Sequence, residues 1–117
     1  MTSAFIRYEG NMPKNRIMEF LVTFAVEDDY SMMDIAKHSK VSYATLKIIW
    51  KEFIKDGRVK FTRNVGKAKM YKLNVRNPII KKFIEYYWKI IEEEQEDKSK
   101  IDYSSAQAVG VASTQRA

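Results

Sequence analysis

Cysteine is absent from this sequence and histidine occurs once, as His38. Disulfides, a thiolate zinc site and a histidine metal cluster are thereby excluded, so no metal and no cofactor is expected. No stretch approaches the roughly 18 consecutive apolar residues of a spanning helix, and the opening MTSAFIRYEG lacks the apolar run of a signal peptide. A soluble, cytoplasmic protein with no membrane partner is the expectation. Catalytic groupings are missing too. The acids gather in Glu27, Asp28 and Asp29 and again in Glu92 to Glu94, Glu96 and Asp97, and neither group is joined to a nucleophile, a histidine or a glycine-rich phosphate cradle. Adjacent carboxylates at Asp28 and Asp29 are too weak a signal for a metal site. The chain therefore reads as a binding protein and not an enzyme.

What is present is basic charge, and it is concentrated. The formal net charge is +6, yet Lys37 to Arg76 alone holds twelve Lys and Arg against Glu52 and Asp56, a net of +10. A field of one sign over a small domain attracts polyanions, duplex nucleic acid foremost, although a lysine-rich solvated surface has the same composition. With 117 residues, 45% of them hydrophobic, there is material for one compact domain plus tails.

With four glycines and two prolines in all, each one punctuates. Pro13 opens a first helix, predicted to run to about Val26, with Ile17, Leu21, Phe24 and Ala25 at the spacing of one face. Ser31, with Asp34 three residues on, resembles a capping box before a short second helix from Met32 to His38, whose apolar positions are Met33, Ile35 and Ala36. Ser39 and Lys40 make a turn, Val41 plugs it, and Ser42 caps a third helix with Leu46, Ile49, Trp50 and Phe53 on its core face. Gly57 ends that helix. The period then becomes two: Val59 and Phe61 point one way, and after Asn64-Val65-Gly66-Lys67 the residues Lys69, Tyr71 and Leu73 alternate with Met70, Lys72 and Asn74, which predicts a β-hairpin. Asn77-Pro78 caps and opens a fourth helix to about Glu96, its acidic end disfavoured by the helix dipole. The division expected is an N-terminal arm over 1–11, a domain over 12–98 and a flexible tail over 99–117. The fold class is mainly α with a small β-hairpin, α+β.

Met33-Asp34-Ile35-Ala36-Lys37-His38-Ser39-Lys40-Val41-Ser42-Tyr43-Ala44-Thr45-Leu46, continuing to Asp56-Gly57-Arg58-Val59, resembles the helix-turn-helix of winged-helix regulators of the MarR and PadR type. Tyr71-Lys72-Leu73-Asn74 followed by Arg76-Asn77-Pro78-Ile79-Ile80-Lys81 is similar to archaeal winged-helix DNA-binding proteins in particular. The resemblance covers about residues 13 to 95. It implies a winged helix-turn-helix with a long C-terminal dimerisation helix, the third helix entering the major groove and the wing lying along the backbone or minor groove.

Removing the core face from the third helix leaves Tyr43, Ala44, Lys47, Ile48 and Lys51 outward, with Thr45 at the rim. Tyr43 can donate to a base edge or phosphate, and Ile48 can meet a thymine methyl. Lys40, Ser42, Arg63, Lys67 and Lys69 are expected to bracket the phosphates. His38 is read as a side chain beside the turn, not a sensor. In the fourth helix Ile80, Ile84, Tyr87 and Ile91 form one stripe and Ile79, Phe83, Tyr86 and Ile90 a second, with Trp88 widening the apolar surface. A small body covers one stripe, and Phe5, Ile6 and Tyr8 of the N-terminal arm are expected to cover some of the remainder or to cross to the partner. Dimerisation through Ile80, Phe83, Ile84, Tyr87, Trp88 and Ile91 is the expectation, placing two recognition helices about 34 Å apart on duplex DNA. Three roles fit such a module: a transcriptional regulator, a DNA-organising or plasmid-partition factor that spreads by higher-order assembly, and an RNA-binding or protein-interaction winged helix.

Overall fold

The computed structural model describes residues 2–107, with side chains through residue 95. Five helices and a small sheet follow one another as α1 (Ala4–Glu9), α2 (Pro13–Phe24), β1 (Tyr30–Ser31), α3 (Met32–Ser39), α4 (Tyr43–Lys55), β2 (Val59–Val65), β3 (Ala68–Leu73) and α5 (Pro78–Gln107). The first, second, third and fourth helices read from the sequence are α2, α3, α4 and α5. No helix among the described residues is long and apolar enough to cross a membrane.

Local chemistry explains most boundaries. Pro13 occupies the first turn of α2, where its missing N–H is not needed. The Ser31 hydroxyl accepts from the Asp34 amide at 3.1 Å and the Ser42 hydroxyl from the Thr45 amide at 3.0 Å, so both serines satisfy donors that the following helices leave open. At the end of α4 the chain turns through Gly57 at φ 71°, and the Arg58 amide bonds back to the Phe53 carbonyl at 2.9 Å. A side chain would be strained there. Asn77 caps α5, its carbonyl oxygen accepting from the Ile79 amide at 2.9 Å. Its amide nitrogen reaches back to the carbonyls of Asp56 and Gly57, so one side chain both starts α5 and fastens it to the end of α4.

The core gathers where α2, α3, α4, the sheet and α5 meet. Ile17, Leu21, Ile35, Leu46, Trp50, Phe53, Leu73 and Ile80 are all essentially sealed from solvent. Trp50 stands edge-on to Tyr71 with ring centroids 5.4 Å apart. Helices α2, α3 and α4 bury residues at the three- and four-residue spacing that puts them on one face, and burial of each large apolar side chain among them contributes roughly 1.5–3 kcal/mol.

Several expectations are corrected. Residues 1–11, read as an arm, contain α1, capped by Ser3 and closed by Gly10 at φ 113°. Its Phe5 does cover α5 as expected, 5.6 Å from Phe83 and 5.1 Å from Tyr87, and Ile6 is buried, whereas Tyr8 is exposed. Phe24 and Met33, both placed on core faces, are exposed; Phe24, the last residue of α2, packs against the Phe20 ring. The hairpin gains a third strand, β1, in the antiparallel order β1-β3-β2 with Tyr30 opposite Tyr71. Val59, Lys60 and Phe61 keep the expected alternation, with Phe61 exposed against the Tyr71 ring, and a bulge between Phe61 and Arg63 shifts the register beyond them. The turn itself is the two residues Gly66 and Lys67, with Gly66 at φ 61°. Finally, α5 continues to Gln107, past its expected end near Glu96 and through part of the stretch read as a tail. Residues 108–117 of that tail lie outside the described residues. The architecture is a winged helix-turn-helix, an α+β fold with a long C-terminal helix.

Candidate nucleic-acid interface

The turn between α3 and α4 sets the site. Lys40 adopts the left-handed conformation at φ 59°, the amides of Lys40 and Val41 bond back to the carbonyls of Lys37 and Ala36, and α4 starts two residues later. With Leu46, Trp50 and Phe53 buried, the opposite face of α4 is presented outward. On it lie Tyr43, Ala44, Lys47, Ile48 and Lys51, all exposed, with Thr45 half-buried at the rim. The Lys47 ammonium sits 5.5 Å from the Tyr43 ring centroid, a cation–π pair that ties the two together at the helix start. Ile48 is 71% exposed, an aliphatic side chain standing in water among lysines. These are the residues expected there, and the structure brings them together on one helical face.

The phosphate-contact set divides. Lys40 is exposed at the turn, and Lys67 and Lys69 are exposed at the hairpin tip. Ser42 is committed internally: its hydroxyl accepts from the Thr45 amide and donates to Thr45 Oγ1 at 2.9 Å. What the start of α4 offers an anion is its unsatisfied first-turn amides, not a free serine proton. Arg63 is held as well. Its Nε and Nη2 donate to the two carboxylate oxygens of Asp29 at 3.0 and 3.1 Å, and Thr62 donates to the same carboxylate. The hydrogen bonds from Arg63 and then Thr62 hold the Asp29 carboxyl down at about 2, below its ordinary 3.8, and the same pairing raises Arg63. Asp29 thus pins the outer half of β2, at Thr62 and Arg63, to the loop before β1. The acidic loop is a structural anchor, and among the described residues no cluster of three or more His, Cys, Asp or Glu could hold a metal ion.

The expected interface on α5 is also redistributed. Ile80 and Tyr87 are buried within the chain, at 1% and 4% exposure, and drop out of any surface offered to a second copy. Phe83, Ile84 and Ile91 are half-buried against the same core, while Trp88 remains 47% exposed. Ile80 joins the common core, while α1 covers α5 at Phe83 and Tyr87 through Phe5. There Tyr86 donates to Glu9 and Arg7 pairs with Glu94. The bond to Glu9 pushes the Tyr86 phenol up to about 12, and burial does the same for Tyr87, whose hydroxyl donates to Glu19 at 2.8 Å. The exposed Trp88 is flanked on α5, at steps of four and three, by the half-buried Ile84 and Ile91, and Ile79 at the helix start is 76% exposed.

Two side chains that hold this surface in place escaped sequence reasoning. Arg16 on α2 donates to the backbone carbonyls of Ser39 and Lys40, and Asp29 holds the wing as described. Each acts on a partner more than twenty residues away, and no local pattern marks such a pairing. His38 is exposed and stacks on Phe20 at a centroid distance of 5.4 Å, beside the turn as expected.

No protein-family model and no curated protein sequence matches this chain. Among solved structures it is similar to the crystal structure of Sso10a-2, a DNA-binding protein from Sulfolobus solfataricus, with a TM-score of 0.48 and 17% identity over 75% of this chain and 90% of that one. Any functional assignment has to come from this chain's own residues.

Proposed function

We propose that this protein binds double-stranded DNA in a sequence-specific manner, as a homodimer, and acts as a transcriptional regulator. The observation that carries the reading is the outward face of α4: Tyr43, Lys47, Ile48 and Lys51 project together from a rigidly capped helix start. An α-helix of this width fits the major groove, where a tyrosine hydroxyl and lysine ammonium read acceptors and an isoleucine meets thymine methyls. Water-exposed isoleucine has no structural use on that face. Lys40 behind the turn and Lys67 and Lys69 on the wing supply sequence-independent attraction to phosphates on either side.

Dimerisation is assigned to the edge of α5 formed by Ile84, Trp88 and Ile91, since the neighbouring stripe is already covered by α1. A two-fold pair would present two copies of α4 to successive major grooves on one face of the duplex. A DNase footprint series on the DNA upstream of the protein's own gene tests the reading. Protection confined to one inverted repeat as protein is added supports it. Protection that extends outward in regular steps instead indicates a spreading, DNA-organising role, and a preference for A-form RNA over duplex DNA overturns the assignment.

A further inference from the structure

We infer that Arg16, which lies on α2 away from the outward face of α4, is a positioning residue for recognition, an inference that rests on the DNA-binding reading above. Its guanidinium spans three elements. Nε donates to the Ser39 carbonyl at 3.0 Å, Nη2 to the Lys40 carbonyl at 3.1 Å, and Nη1 to the Asn11 side-chain oxygen at 2.9 Å. The first two are the backbone oxygens at the C-terminal end of α3, beyond the Ala36 and Lys37 carbonyls that the turn amides already occupy. A helix end leaves such oxygens unsatisfied and carries partial negative charge, so a cation with several donors in one plane fits it on both counts.

The consequence lies in the turn. Lys40 is the one non-glycine residue with positive φ among the described residues, and an L residue is not at ease there. The conformation is sustained by bonds on both sides: the amides of Lys40 and Val41 fold back onto α3, and the carbonyls of Ser39 and Lys40 are gripped from α2. Two residues after Lys40, Ser42 begins α4. The direction in which α4 leaves the turn is therefore held by the Arg16 fork, and small errors in that direction displace Tyr43 and Lys47 from base edges while leaving their charge near the phosphates.

The grip continues outward. Asn11 holds the third nitrogen, and Asn15 donates to the Gly10 carbonyl at 3.0 Å, fastening the end of α1 to the first turn of α2. Since Phe5 of α1 packs on Phe83 and Tyr87, the N-terminal segment docked on α5 is joined through Asn11 and Arg16 to the turn before α4. A lysine at 16 keeps the charge but cannot hold two successive carbonyls and an amide oxygen in one plane.

The test compares wild type, Arg16→Lys, Arg16→Met and Asn11→Ala on two probes: a duplex selected by wild-type protein from a randomised pool, and a random duplex of equal length. Arg16→Met is expected to keep its affinity for random DNA within about twofold while its preference for the selected duplex falls by about tenfold or more. Arg16→Lys is expected to fall between the two. A merely stabilising arginine would instead lower both affinities in proportion to the folded fraction and leave their ratio unchanged, and that result overturns the inference. Amide hydrogen exchange without DNA gives the second readout: at Lys40 and Val41 it should quicken about tenfold in Arg16→Met while the centre of α5 is unaffected. Unchanged exchange at the turn equally overturns the clamp. Should Arg16→Met not fold, Asn11→Ala, which removes the outermost bond alone, is expected to lower the ratio about threefold, and a wild-type ratio there counts against the inference. If wild-type protein selects no duplex at all, the DNA-binding reading fails by itself and the exchange measurement decides the clamp.

Discussion

At the residue scale, the side chains that matter divide into those that touch a partner and those that hold them still. Tyr43 and Lys47, joined by their cation–π contact and exposed at the start of α4, are proposed for the first kind. Replacing either with alanine is expected to weaken binding to a selected duplex by about 1–3 kcal/mol and to flatten discrimination between sites, measured by fluorescence anisotropy against selected and random duplexes. Equal losses on both duplexes would reassign these residues to phosphates. Asn77 is of the second kind. Its side chain serves the Ile79 amide and the Asp56 and Gly57 carbonyls at once, so Asn77→Ala should cost about 1–2 kcal/mol in chemical denaturation. Ser39 offers the opposite case, a buried hydroxyl without a hydrogen-bond partner among the described residues. Ser39→Ala is expected to leave stability unchanged or raise it by up to about 1 kcal/mol, because the unpaired group already bears its desolvation cost.

At the element scale, the wing is held along β2 at Thr62 and Arg63 and open beyond them. The Asp29 carboxylate receives Arg63 and Thr62 across a gap of more than thirty residues. Because its folded value, about 2, lies below the ordinary 3.8, the carboxylate stabilises the fold fully above about pH 4, and this contribution is lost as pH falls through about 2. Asp29→Asn should therefore remove part of the acid-induced loss of stability between those limits, followed by circular dichroism at stepped pH; an unaltered acid profile would show that the pin adds nothing. Lys67 and Lys69 at the tip carry no such restraint, and each alanine substitution should reduce the salt slope of DNA binding by about one. The helix-turn-helix itself was legible in the sequence because its signals are local: Ser31, Ser42, Gly57 and Asn77 each act within a few residues. Helix α1 and strand β1 were not. They span six residues and two, too short for any period to register, and both exist through distant contacts, Phe5 on Phe83 and Tyr30 beside Tyr71. The bulge after Phe61 was hidden for the same reason, since a single extra residue leaves no mark on composition.

At the scale of the whole molecule, a basic body carries a long helix whose inner stripe is used up in the fold. Ile80 and Tyr87 show how a correct apolar stripe can be given the wrong partner: the spacing predicts burial, and only the position of α1 and the core decides against what. Trp88→Asp, which spares both, is expected to yield a folded monomer at micromolar concentration in sedimentation equilibrium and to lower specific DNA affinity at least about tenfold. The exposure of Tyr43, Lys47 and Ile48 on one face was readable from the sequence since they are what remains after the core face of α4 is subtracted, whereas the two restraints Arg16 and Asp29 act through partners more than twenty residues away. The central claim, that the outward face of α4 reads duplex DNA, is tested most directly by titrating the wild-type protein against its selected B-form duplex, a random duplex and an A-form RNA duplex of equal length at one salt concentration. The account predicts at least about a thousandfold preference for the selected DNA over the random one, with RNA weaker still. Equal affinity for all three, or tighter binding to the RNA, would contradict it.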